Sequence, residues 1–433
     1  MKSLSVKGVL LMMLVLLLAA CSQGEADGED GGSSAVSMMH YYNKELNEPA
    51  PTAQLEKLEE FKEANGDITI EEEIQSHDNY ETKIKTLAAG NELPDLFLIK
   101  GSMTKTFSEN GQIIALDDFL EGREDTFVDG TLTPFQVEDS TYGIPVSGGA
   151  THLIYYNKDL FEQAGIEEFP QDWAGFMDAV DTLKEEGITP IALGNKGKWV
   201  LNSSYLSTLG SRYTGTDWFQ SILNHEGAAF TDDSFVQALV AIDELAKNEA
   251  FNDNMNSIDN SEQQAMYMNK EAAMFIEGDW AAGTITNSAP EDVLAATEVA
   301  IFPELPGAAE PDTLSGGGGW AYAVNANVSD EKLADIKKLV EHLTNQEAGK
   351  LILEKGQIPA VTVPGKEEMD IPDMTKKILS VVENNQYVPI YDTMLDPALI
   401  EVMNTNLQNM TIGQVSPEEA AANIQAEYEK GSQ

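Results

Sequence analysis

Cysteine is almost missing from the chain: Cys21 is the only one in 433 residues. No disulfide can therefore form within it, and no paired-cysteine metal motif exists. Arginine is nearly as scarce, with Arg123 and Arg212 alone, which argues against an anionic ligand held in a bidentate guanidinium clamp. Positive charge as a whole is short, 26 Lys+Arg against 73 Asp+Glu for a formal charge of −47. Phosphate backbones repel such a polyanion, so nucleic acid is excluded as a partner. The five histidines, His40, His77, His152, His225 and His342, are scattered and form no HExxH pattern. No GxSxG elbow occurs either. Asn252-Asp253-Asn254-Met255-Asn256 lacks the glycine and closing glutamate of a calcium loop and reads as an ordinary loop. The run Gly316 to Ala321 matches GxGxxA in letters, but a strand-like segment follows it where a dinucleotide site needs a helix. A pair of acids for glycosidase chemistry stays open, since so many acids make accidental neighbours common.

What is present begins at the N-terminus. Residues 1–20 read as a secretory signal, with Lys2 and Lys7 ahead of an apolar run from Val9 to Ala20. That run is too short for the roughly 20 residues a membrane-spanning helix needs. It ends in Leu18-Ala19-Ala20-Cys21, which resembles a bacterial lipobox, making Cys21 the expected lipid attachment site. Residues 21–34 are polar, acidic and glycine-rich, with nothing to bury, and are expected to be a disordered tether. Removing residues 1–20, which hold two lysines and no acid, takes the formal charge from −47 to −49.

From Ala35 onward short apolar runs alternate with amphipathic segments, the pattern of an α/β protein. Strands are expected at Ala35 to Tyr42, around Ile68 and Ile70, and at Asp95 to Ile99, separated by helices carrying Leu55, Leu58 and Phe61 and spanning Asp78 to Ala89. The length suits two to three lobes. Residues 330–430 are helix-rich, and Ser416-Pro417-Glu418-Glu419 is a capping box opening the last helix.

Several segments, in order, resemble the sugar-binding lipoproteins of bacterial ABC importers, the solute-binding class that includes maltose-binding protein. They are Leu93 to Phe97, Tyr142 to Pro145, Leu153 to Phe161, Ala272 to Trp280, Gly319 to Asn325 and Lys355 to Ala360. The resemblance implies a two-lobed periplasmic-binding-protein fold of α/β class, with three hinge crossings near 145–149, 278–283 and 316–320. It assigns residues 35–146 and 281–319 to the first lobe, and 147–280 and 320–433 to the second. It further implies a lipid-anchored extracellular receptor, monomeric and without cofactor, metal or catalysis. Such a receptor binds an oligosaccharide between its lobes and delivers it to an ABC permease. An α-galactoside or α-1,6-glucoside of the raffinose kind fits the overall likeness; a polyamine receptor and a secreted polysaccharide-acting enzyme are the alternatives.

Sugar clefts pair aromatic rings with planar polar groups. The resemblance implies ligand contact for Trp280, Trp199, Tyr391 and Asp392; Asp279 and Trp320 at the proposed crossings, His40, Asn43 and Lys100 at strand ends, and Ser147 at the first crossing are the further candidates. Trp173 and Trp218 are expected to be packing residues.

Overall fold

The computed structural model describes residues 35–46, 48–382 and 385–431. The expected signal segment, the expected lipid attachment site Cys21 and the expected tether lie outside them. Strands β1 (Val36–His40), β2 (Ile70–Ile74) and β3 (Leu96–Lys100) alternate with the helices Pro49–Ala64 and His77–Gly90. β1 pairs in parallel with both β2 and β3. β3 is apolar up to its closing lysine and buried on both faces, as a strand inside a sheet covered on both sides must be. β2 forms the sheet edge, where Glu71, Glu72 and Glu73 discourage pairing with another chain.

A small hairpin, β4 (Gln136–Val137) and β5 (Ser140–Thr141), precedes β6 (Ile144–Pro145). A second sheet follows, built from β7 (Leu153–Asn157), β8 (Thr189–Ala192), β9 (Ala272–Glu277) and β10 (Thr297–Ala300) in the order β10-β7-β9-β8. β11 (Thr313–Ser315) pairs in parallel with β13 (Gln386–Val388), while β12 (Trp320–Val324) returns to the first sheet. There it lies antiparallel between β3 and β6, giving the order β2-β1-β3-β12-β6. Each sheet has its own apolar core, with Phe97, Tyr322 and Leu339 in the first and Phe176, Leu239 and Phe302 in the second. The fold is the expected two-lobed α/β one. The last helix, Pro417–Gly431, opens with the predicted capping box: Glu419 N–H donates to Ser416 Oγ at 3.2 Å and Ser416 N–H to Glu419 Oε2 at 2.9 Å.

Strand pairing corrects the lobe assignment of the later chain. Residues 281–319 were expected in the first lobe, yet Ala281, Ile285, Val293 and Leu314 pack with Tyr155 and Phe275 of the second. Residues 320–433 were expected wholly in the second lobe, yet β12 and the helix Asp330–Leu343 belong to the first, through Ile336, Leu339 and Val340. An alternating apolar run such as Trp320 to Val324 fits either sheet; only its ladder decides.

One crossing is corrected as well. The chain passes between lobes over 146–152, over 316–319 and over 356–372, where the first-lobe helix Gln346–Lys355 gives way to the second-lobe helix Asp373–Val382. These segments lie side by side. Gly148 N–H donates to Ile358 O at 3.1 Å, Ala360 N–H to Val146 O at 3.3 Å and Gly317 N–H to Gly149 O at 3.2 Å. Residues 278–283 do not cross. Asp279 instead brackets two crossings, its N–H donating to Ala150 O at 3.0 Å while its carboxylate accepts from Ile358 N–H at 2.8 Å.

Candidate ligand-binding cleft

A cavity of about 260 Å³ lies where the two sheets and the crossing segments meet. Its walls come from chain leaving the carboxyl ends of strands, the position where open α/β sheets offer backbone polar groups and loops together. β1 leads to Tyr41 and Tyr42, β3 ends in Lys100, and the helix following β2 starts with His77. From the second lobe, the loop after β8 supplies Trp199 and the chain after β9 supplies Asp279 and Trp280.

Trp199 is set by a turn in which Lys198 takes a left-handed backbone, φ +65°. The π-helix that follows, Leu201–Leu206, presents carbonyls sideways: Thr151 Oγ1 donates to Ser203 O at 3.2 Å, and the His152 ring contacts Ser204 O at 2.9 Å. A wide helical turn of this kind re-aims groups at functional sites, and here it fastens the second-lobe wall to the first crossing. Trp280 lies over Gly278, where an added Cβ would come within 2.1 Å of the ring. Its Nε1–H donates to Glu277 Oε1 at 2.7 Å.

The aromatic rings of both lobes meet. Trp320 packs edge-on against Tyr41 at 5.1 Å and Tyr80 at 5.4 Å between ring centroids, and lies 6.0 Å from His77. His77 in turn lies 5.9 Å from Trp199, which is 6.1 Å from Trp280. An ion pair spans the lobes beside them, with Lys100 Nζ 2.6 Å from Asp392 Oδ2 and 3.5 Å from Glu81. Burial alone would depress the Lys100 ammonium, but the two carboxylates hold it above its usual range.

Of the residues singled out in the sequence, Trp280, Asp279, Trp199, Trp320, Asp392, Lys100 and Ser147 line this cavity. Three do not. His40 is fully buried behind the sheet edge, 3.0 Å from Glu72 and stacked on Tyr42. Asn43 is exposed and caps the short turn Lys44–Leu46 by accepting from Glu45 N–H. Tyr391 is fully buried in the second lobe, stacked on Phe219 at 4.5 Å, because one turn of helix sends it away from its neighbour Asp392. Trp173 and Trp218 are packing residues, donating to Glu244 and Asp232.

Other lining residues escaped the sequence reading. Glu48 and His77 sit at helix starts after strand ends, a position that flags them in hindsight, and Asp259 opens the helix Asn260–Met268 with a capping box. Gln357 carries no such signal; it reaches the cleft because the third crossing runs beside the first.

Burial pushes the Asp279 carboxyl up to about 7, against the lowering effect of the Ile358 and Gln357 donors. Its unfolded value is near 3.9, so between about pH 4 and pH 7 the folded chain keeps a proton that the unfolded chain has released. Stability is therefore expected to fall as pH rises through this window, by up to about 1.4 kcal/mol per pH unit from this group. Asp279→Asn should flatten that slope in denaturant melts run across the window; an unchanged slope would remove Asp279 as its source.

Residues 43–350 match the family described as bacterial extracellular solute-binding protein. A chitin oligosaccharide binding protein superposes with a TM-score of 0.84 at 23% identity, over 92% of this chain and 99% of that one. A chain solved in work on xylan utilization by the thermophilic bacterium Caldanaerobius polysaccharolyticus gives 0.80 at 25% identity, over 91% and 99%. A protein of Rhizobium meliloti described as a sugar-binding periplasmic protein is 28% identical over 202 residues, 46% of this chain and 47% of that protein. The chain thus spans about half the length, or less, of curated relatives it matches. Two sheets joined by three adjacent crossings around one cleft agree with that match, and the chain belongs to the bacterial extracellular solute-binding proteins, a family of binding proteins and not of enzymes.

Proposed function

We propose that this protein is a lipid-anchored receptor outside the cell membrane that binds an oligosaccharide in the cleft and delivers it to an ABC permease. The observation that carries the reading is the convergence of three tryptophans on one cavity, Trp199 and Trp280 from the second lobe and Trp320 from the first. Sugars present apolar CH faces to such rings and hydroxyls to planar polar groups such as Asn260, Gln357 and Asp392 around them. Relatives named for chitin oligosaccharide, for xylan utilization and for sugar binding support the same class. Lys100 and Asp392 join the lobes beside the cleft, and a ligand bridging the two walls would add to that contact and favour closure.

The test is a thermal-shift and calorimetric panel on the mature chain with chitotetraose, xylotetraose, maltotriose and raffinose. At least one should bind and raise the melting temperature without being cleaved. Cleavage, or silence from every sugar, would refute the reading. Anchoring rests on Leu18 to Cys21; Cys21→Ser should release the protein from membranes into the medium, and continued membrane retention would argue against lipidation there.

A further inference from the structure

The charge balance of the cleft is uneven. Its wall holds four acidic side chains, Glu48, Asp259, Asp392 and Asp279, the last with a carboxyl that burial pushes up to about 7, against Lys100 and His77, and no arginine. Lys100 is already taken by Asp392 and Glu81. Asp279 is held by Ile358 N–H, and Asp259 caps its helix by accepting from Glu262 N–H at 3.0 Å. Glu48 is different: among the described residues no hydrogen bond or ion pair reaches its carboxylate. Burial pushes its carboxyl up; of the charges acting on it, His77 from its own lobe opposes that shift and Glu277 from the opposite lobe adds to it.

Glu277 is fully buried directly behind the cleft wall. Its Oε1 accepts from Trp280 Nε1–H at 2.7 Å and Asn260 Nδ2–H at 2.8 Å, and its Oε2 from Gln263 and Gln264 at 3.0 and 2.9 Å. Burial pushes this carboxyl up while the four donors oppose the shift. Four inward-pointing N–H groups fill the acceptor sites of a carboxylate and leave no place for a proton, so the group is an anion. None of the four donors is charged. A negative charge without a cation therefore sits behind Trp280 and Asn260, and Glu48 lines the same cavity from the first lobe. Closing the lobes brings these two like charges together, which works against closure. A positive charge between them removes that opposition, and the faces of Trp280 and Trp320 attract a cation as well.

We propose that the cleft selects an amino sugar oligomer, with a protonated amino group seated between Glu48 and the Trp280–Glu277 pair. This rests on the oligosaccharide reading and narrows it. The experiment is titration calorimetry of the mature chain with the glucosamine tetramer, its N-acetylated counterpart and cellotetraose, which differ at the amino position. The glucosamine tetramer should bind at least tenfold tighter than either of the others, and Glu48→Gln should reduce that ratio at least fivefold. Equal or tighter binding of the N-acetylated or hydroxyl tetramer, or a ratio unchanged by Glu48→Gln, overturns the amine. The wild-type comparison stands by itself should the variant fail to fold. If the glucosamine tetramer fails while another sugar binds, the amine falls and the oligosaccharide reading survives. If every sugar fails while spermidine binds, the oligosaccharide reading falls and the preference for a cation survives.

Discussion

Trp280→Ala is expected to lower the affinity for the best-binding sugar about a hundredfold. Two losses combine in the truncation. The ring that forms the second-lobe face of the cleft disappears, and tryptophans in such enclosed positions account for roughly 2–4 kcal/mol of binding on truncation. Glu277 also loses one of its four donors, so a buried carboxylate is left one hydrogen bond short. Trp280→Phe separates the two, since it keeps a stacking face and removes only the N–H; its loss should be nearer tenfold. Titration calorimetry with the same sugar reads both variants, and circular dichroism checks that each is folded. Affinity of Trp280→Ala within threefold of the parent would take this ring out of the binding site.

The largest effect on stability is expected from Gly149→Ala. A Cβ there would lie 1.8 Å from Asp279 Oδ2 and 2.6 Å from Oδ1. The aspartate cannot swing aside cheaply, because its carboxylate accepts from Ile358 N–H and its own N–H is tied to Ala150 O. Overpacking costs about 1–3 kcal/mol, and leaving the Ile358 N–H without its acceptor adds about 1–3 kcal/mol. A loss of about 3–5 kcal/mol is thus expected, read as a lower denaturant midpoint. Gly319→Ala is the control: it sits in another crossing with open space around its Cβ position, and its effect should stay within about 0.5 kcal/mol. Equal effects of the two substitutions would show that Asp279 does not brace the crossings.

Much of the site was readable because strand ends are readable. Lys100 closes an apolar run, and Trp199 follows the strand Thr189–Ala192; both reach the cleft because open α/β sheets place their ligand sites at carboxyl ends. The same rule failed for His40 and Asn43. β1 does end there, but the His40 ring turns to Glu72 of the edge strand, and Asn43 turns outward to cap the next turn. Tyr391 failed for a different reason, since adjacent positions on one helical turn face apart and only Asp392 faces Lys100.

Composition and periodicity carry the class of chain: an acidic, nearly arginine-free α/β protein with its strands, helices and cap signals in a recognisable order. These are local properties, written in periodicity and in residues a few positions apart. Long-range packing settles which lobe owns Trp320 to Val324, that Asp279 braces two crossings without lying on one, and that Glu48 and Trp280 line one cavity. Each of these depends on groups more than 70 residues apart, and a strand or a carboxylate carries no mark of its distant partner until the ladders close.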